Sequence, residues 1–209
     1  MPHVPVIVQN DVGRRERKKR AVRDALVDAA LDLFEQQGVD ETTVEQMSDA
    51  VDVSARTFHR HFPSKLDVLF ADAEDLRSRF ESALAQRPPG EDVLRSLREA
   101  MSVLTDTMAA RRHREVTRQR IIESHDGLRA INLRRSEEWA ESVARHSAMR
   151  LGVADDELLP RLLGGCAVAA LRTARARWMD DPRIDLTADL RQCFALMSDM
   201  GAATTRERR

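Results

Sequence analysis

Apolar side chains recur at three- and four-residue spacing through most of the chain, and no segment shows a sustained period-two alternation. That pattern predicts an all-α protein. Gly38, the Pro63 step, Pro88-Pro89-Gly90, Gly127, Gly152 and Pro182 punctuate the periodic segments. In the first helix Val22, Leu26, Ala29 and Leu33 form one stripe, flanked by Ala25, Ala30 and Phe34, and Gly38 stands where a left-handed C-terminal cap belongs. Thr42-Thr43-Val44-Glu45 reads as a capping box, Thr42 with Glu45, opening a short helix that runs to about Ala50. Ser54 offers a fresh N-cap for a third short helix ending near Phe62. Pro63-Ser64-Lys65-Leu66-Asp67 restarts a longer helix to about Gln86, with Ser64 as its cap. Further helices are predicted at about 91–112, 115–125, 128–150, 156–180 and 186–200.

The chain has 209 residues, ample for a buried core. The expected organisation is a disordered tail at 1–13, a helix-turn-helix domain at 14–70 linked through the helix at 64–86, a larger helical domain at 71–201, and a disordered tail at 202–209. The two short helices joined by Val51-Asp52-Val53 match a helix-turn-helix. Such a unit needs apolar residues that lock its helices at a steep angle, and Val44, Met47, Val53, Phe58 and Phe62 fit that role. Its second helix must present short or basic side chains outward, as Ala55, Arg56, Thr57, His59, Arg60 and His61 would.

Charge sharpens this picture only when it is divided along the chain. The formal net charge is −1, yet residues 14–23 hold seven basic side chains and one acid, a net of +6, while residues 40–52 hold five acids and no base. A local basic block is the usual footprint of polyanion contact; a solvated, solubilising segment is the alternative. Charged residues make up 33% of the chain and apolar ones 42%, which points to a folded protein rather than a disordered one. The longest uncharged apolar-rich run, Leu162 to Leu171, is ten residues, too short to cross a bilayer. The opening MPHVPVIVQ lacks the basic start and long apolar centre of an export signal, so a cytoplasmic protein with no membrane partner is expected. Cys166 and Cys193 make no disulfide framework, and His113, His125 and His146 show no metal-ligand spacing. With no glycine-rich phosphate loop or nucleophile elbow either, no catalysis, metal or cofactor is expected.

The stretch from Arg20 to Phe70, ending in VSARTFHRHFPSKLDVLF, resembles the N-terminal domain of TetR/AcrR-type transcriptional regulators. Val53, Ser54, Thr57, Phe58, His61, Phe62, Ser64 and Lys65 match the family pattern in register. Two positions depart from it. Asp52 stands where the family usually has Gly, at a turn position that needs positive φ, which Asp tolerates better than most residues. His59 stands where a phosphate-contacting Tyr is usual.

The resemblance implies roles residue by residue. Ser54 and Thr57 would bond phosphates or base edges beside Ala55, and Arg56 and Arg60 would contact guanine, since a guanidinium can bind O6 and N7 together. His59, His61 and Lys65 would hold the DNA backbone, with Thr43 adding a contact from the second helix. The arm of Arg14, Arg15, Arg17, Lys18, Lys19 and Arg20 would follow the backbone or enter a minor groove. With His59 and His61 both exposed on the DNA-facing helix, affinity is expected to rise as pH falls through about 6.5.

One recognition helix buries too little to discriminate among genomic sites, so a homodimer on near-palindromic double-stranded DNA is the physical expectation. Leu163, Gly164, Ala167, Val168, Leu171 and Ala174, with Leu190, Phe194 and Met197, are the candidates for its interface. The resemblance places dimerisation on the last two helices and a small-molecule pocket among the middle ones. Leu104, Met108, Ile121, Ile122, Trp139, Val143 and Leu171 would line that pocket, with Arg175 to meet an anionic ligand. The implied function is a ligand-responsive regulator, a repressor released from its operator by a small lipophilic effector. The alternative is a helical ligand-binding or protein-interaction module without DNA binding.

Overall fold

A computed structural model describes residues 7–206. Among the described residues the secondary structure is helical throughout: α1 (Ile7–Gln37), α2 (Val44–Asp49), α3 (Ala55–His61), a 3-10 segment (Lys65–Phe70), α4 (Ala73–Ala85), α5 (Val93–Ala109), α6 (Arg112–Ser124), α7 (Asp126–Leu151), α8 (Leu158–Asp180) and α9 (Leu186–Arg206). No helix among them is long and apolar enough to cross a membrane. The expected tails are corrected where they can be seen, because α1 already begins at Ile7 and α9 continues to Arg206; residues 1–6 and 207–209 lie outside the described residues. The chain divides into two compact units, one running to Ala71 and including Thr117–His125, the other comprising Asp72–Val116 and the chain from Asp126 on. The division expected at 70/71 therefore needs an amendment: most of α6 groups with the first unit.

In the first unit Leu26, Val27, Ala30, Leu31 and Phe34 of α1 are buried together with Met47, Phe58, Phe62, Val68 and Leu69. Gly38, at φ +86°, ends α1 by donating its N–H to the Phe34 carbonyl at 3.0 Å. The box that opens α2 is one residue later than expected. Thr43 Oγ1 accepts from the Gln46 N–H at 3.2 Å, and Gln46 Oε1 accepts from the Thr43 N–H at 2.9 Å. Thr42 is unavailable for this because it is fully buried, its hydroxyl donating to the Gly38 carbonyl at 2.7 Å.

Asp52 takes φ +53° and closes α2: its N–H reaches the Asp49 carbonyl at 3.2 Å, and the Val53 N–H reaches Ser48 at 3.0 Å. These are the paired bonds of a Schellman turn, with a side chain at the position that favours glycine. Asp52→Gly should therefore raise stability by about 0.5–1 kcal/mol, net of the larger entropy that glycine loses on folding. Thermal melting checks this, and a lowered midpoint would contradict the strain.

The long helix expected over 64–86 is interrupted. Ser64 and Asp67 do form a capping box, but the winding that follows is 3-10, with i→i+3 bonds from Asp67 to Ser64 and from Ala71 to Val68; α4 starts afresh at Ala73. Residues three apart eclipse in such a winding, so Lys65 sits over buried Val68 and is carried toward the first unit's interior.

The second unit packs α4, α5, α7, α8 and α9 around one core that includes Phe80, Leu97, Met101, Leu104, Val143, Ala167, Trp178, Leu190 and Phe194. α7 and α8 approach closely where a Cβ added at Gly164 would lie 2.2 Å from the Ala140 carbonyl oxygen. The expected interface residues divide by burial. Leu163, Gly164, Ala167, Ala174, Leu190 and Phe194 are buried within this core and have no face left for a second copy, while Val168, Leu171 and Met197 are half-buried. Small and apolar residues at helical spacing serve an internal seam as well as an external one, and spacing alone does not separate the two. Of the expected pocket lining, Leu104 and Val143 are fully buried, Met108 nearly so, and Trp139 and Leu171 pack against that core. Ile121 and Ile122 are buried in the first unit, and Arg175 is half-buried on α8.

Candidate nucleic-acid interface

Phe58, fully buried, faces α3 inward, which turns the opposite side of this seven-residue helix to solvent. Arg56, His59 and Arg60 are exposed on that side, and Ala55 is half-buried beside them. Ser54 caps the helix by accepting from the Thr57 N–H at 3.2 Å, and its hydroxyl shares a 3.1 Å hydrogen bond with the Thr57 hydroxyl. Thr43, exposed at the start of α2, uses its oxygen as an acceptor within the capping box, so its hydroxyl hydrogen can still be donated. The structure thus brings Arg56, His59 and Arg60 onto one face, with Ser54 and Thr43 at the openings of their helices.

Lys65 lies apart from this face. Its Nζ donates to the carbonyls of Val39 at 2.8 Å, Asp40 at 3.1 Å and Thr42 at 2.9 Å. An ammonium has three donors, and all three are engaged. The charge lies in the loop after α1, where peptide carbonyls left without helical partners need a cation. Lys65 therefore ties the 3-10 segment to the α1–α2 loop. Its spacing from Ser64 was legible in the sequence; the fold that carries it back over residues 39–42 was not.

His61 also departs from expectation. It is half-buried, and its Nε2 is shut off from solvent without a hydrogen-bond partner. Burial, and then the positive charges of Arg60, Lys19 and Arg23, hold its pKa below the ordinary histidine range. The expected rise in affinity through about pH 6.5 assumed two exposed histidines; only His59 is one. Beside His61, the Arg23 guanidinium stacks over the Phe62 ring at 4.7 Å from its centroid. Arg23 closes the seven-cation basic block of residues 14–23.

The basic arm is helical. Arg14, Arg15, Arg17, Lys18, Lys19 and Arg20 are all exposed along α1, which at 31 residues spans about 46 Å. They point to every side of the helix rather than forming one stripe, because consecutive residues are separated by about 100°.

Away from α3, apolar side chains remain exposed on α8 and α9: Leu158 at 83%, Leu159 at 51%, Leu162 at 56% and Leu196 at 55%. A cleft of about 470 Å³ opens among Glu137, Ala140, Glu141, Ala144, Arg145, Asp155, Asp156 and Arg161, and none of these was an expected pocket residue.

Residues 26–71 match the family described as bacterial regulatory proteins, tetR family, and residues 91–201 match the MftR C-terminal domain. The HTH-type transcriptional regulator TcmR of Streptomyces glaucescens is 37% identical over 186 residues, which cover 86% of this chain and 82% of TcmR. Among solved structures, SmeT of Stenotrophomonas maltophilia in complex with triclosan has a TM-score of 0.60 at 20% identity, covering 84% of this chain and 89% of SmeT. FadR of Thermus thermophilus, a TetR-family repressor solved with lauroyl-CoA, has a TM-score of 0.56 at 24% identity, covering 83% and 92%. Those two likenesses concern the fold alone. The helix-turn-helix, the match over both units and the close relative agree: the chain belongs to the TetR family of DNA-binding transcriptional regulators.

Proposed function

We propose that this regulator is a repressor that binds a near-palindromic operator as a homodimer and leaves it when a small lipophilic molecule binds the larger unit. The observation that carries the reading is the exposed face of α3, where Arg56 and Arg60 project from a helix whose other side is fixed by Phe58. Both arginines have the reach and geometry for bidentate guanine contact, while Thr43, Ser54, Thr57 and His59 supply backbone contacts. The basic segment of α1 adds phosphate contacts.

For the second copy, the apolar side chains still exposed supply the surface. Leu158, Leu162 and Ala169 share one exposed stripe of α8, and Leu196 is exposed on the neighbouring α9. For the effector, the lauroyl-CoA and triclosan complexes of family members favour a lipophilic compound. Its entry requires the core residues around Leu104 and Val143 to part. Within the larger unit, Arg112 at the start of α6 donates to the Trp178 carbonyl at 2.8 Å and stacks on the Trp178 ring at 5.0 Å. Displacement of the end of α8 by an effector would therefore be felt at the start of α6.

The test is selection of duplexes from a random library by the purified protein, followed by binding measurements with Arg56→Ala and Arg60→Ala. Each substitution should weaken binding to the selected duplex by about 1–3 kcal/mol and relax preference at one base position. Wild-type affinity in both variants would remove these residues as readers.

A further inference from the structure

Trp139, His146 and Arg150 stand at helical spacing and share one face of α7. That face meets the α4–α5 corner of the larger unit. Trp139 packs on Phe80 of α4 with ring centroids 5.3 Å apart. Arg150 donates one terminal nitrogen to the Pro88 carbonyl at 2.6 Å and to the Glu91 carbonyl at 3.1 Å. Between these two anchors stands His146, whose Nε2 is shut off from solvent and, among the described residues, meets no hydrogen-bond partner. A buried polar atom left in this way costs stability and calls for a reason. Arg150, one turn on, is the charge that acts on the ring, and it is positive. Both carboxylates of the α4–α5 turn already serve other groups. Glu91 accepts from Arg87 Nε at 2.7 Å and lies 3.4 Å from Arg95, and Asp92 accepts from the Arg95 N–H at 3.0 Å. Further along α5, Glu99 pairs with Arg98, and α8 meets α7 on another flank, at Ala140.

We propose that His146 controls this anchor by its protonation: a proton on the ring drives Arg150 off the Pro88 and Glu91 carbonyls and frees the α4–α5 turn from α7. In the closed arrangement the imidazole is kept neutral, because burial, and then the Arg150 charge, hold its pKa below the ordinary value of 6.5. Once Arg150 swings out, both obstacles ease and the ring takes a proton from solvent. The released form therefore binds more protons than the closed one, and linkage fixes the sign. Closure is fully favoured above the ordinary histidine range. It is lost progressively as pH falls from 6.5 toward the depressed pKa of the closed form. Arg150 is suited to letting go, since one terminal nitrogen makes both bonds and its buried Nε has no acceptor. The device lies wholly within the larger unit, so it goes beyond the DNA-binding reading and does not depend on it.

Residue-resolved hydrogen exchange and imidazole titration, both by NMR on the full chain, test this. Protection of the Glu91 N–H, which bonds the Pro88 carbonyl at 3.1 Å, reports closure of the turn. After correction for intrinsic exchange, it should fall between about pH 7.5 and 5.5, by up to about tenfold per pH unit because one proton is linked. His146→Gln should keep the protection seen at the higher pH and remove the dependence. Arg150→Gln should lose the protection throughout, and its His146 ring should titrate closer to 6.5 than the wild-type ring does. His61→Gln is the control, because His61 is also held below the ordinary range but lies in the first unit. The Glu91 response should persist in that variant. The same pH dependence in wild type and His146→Gln would overturn the proposal. So would a wild-type His146 ring that titrates at or above 6.5, a result that can be read even where a variant fails to fold.

Discussion

Gly164→Ala should destabilise the protein by about 2–3 kcal/mol, even though alanine is the better helix former by about 1 kcal/mol. The new methyl would sit 2.2 Å from the Ala140 carbonyl oxygen and 3.0 Å from its carbon. Both are backbone atoms of α7, so no side chain can rotate away. The two helices would have to part by about 1 Å, loosening contacts along the seam they share. That seam includes Val143, Leu163 and Ala167, all buried, so the cost is spread over the core rather than confined to one contact. For a chain of this length the loss corresponds to roughly 5–10 °C in melting temperature. Gly165 provides the control, because a Cβ there meets nothing within 4 Å. In dilute protein Gly165→Ala should gain up to about 1 kcal/mol from helix propensity. Opposite signs at adjacent glycines are the expected result of urea unfolding; equal stabilisation at both would contradict the α7–α8 contact.

Lys65→Met should cost about 2–4 kcal/mol through the loss of three charge-assisted hydrogen bonds to the carbonyls of residues 39, 40 and 42. Those carbonyls lie in the loop that leads into α2, so the loop loses its fixed path as well as its cation. Lys65→Arg should recover only part of the loss, since a planar guanidinium cannot aim donors at three carbonyls converging on one point. The same variant separates two roles for the residue. A phosphate contact, removed, would lower the salt slope of DNA binding by about 0.9 and leave folding stability intact. The internal tie predicts the reverse: a marked loss of stability and an unchanged slope among the molecules that remain folded.

Much of the fold was legible because periodicity and capping are local. The stripe of α1, the cap at Ser54, the left-handed Gly38 and the positive φ at Asp52 all depend on neighbours within a few residues. Errors arose where a local signal had two uses. Thr42 and Thr43 could each open α2, and burial of Thr42 beneath Gly38 decided between them. The small residues of α8 suit an interface or a core equally well, and Gly164 against Ala140 gives one side of that helix to the core. At the candidate interface, the exposed positions of Arg56, His59 and Arg60 followed from helix geometry once Phe58 was placed inside. Lys65 and His61 did not, because their partners lie 23–26 residues away in the one case and on α1 in the other. Long-range contacts of this kind leave no periodic trace in a sequence.

The central claim is that the exposed face of α3 reads DNA on behalf of a two-fold dimer. Fluorescence anisotropy of the full chain on its selected duplex, with a scrambled duplex as control and both across a salt series, tests it most directly. The account predicts saturable binding that favours the selected duplex by about three decades or more, weakens steeply with salt, and places two protomers on each duplex. Equal weak binding to both duplexes, or a single protomer per site at saturation, would contradict it.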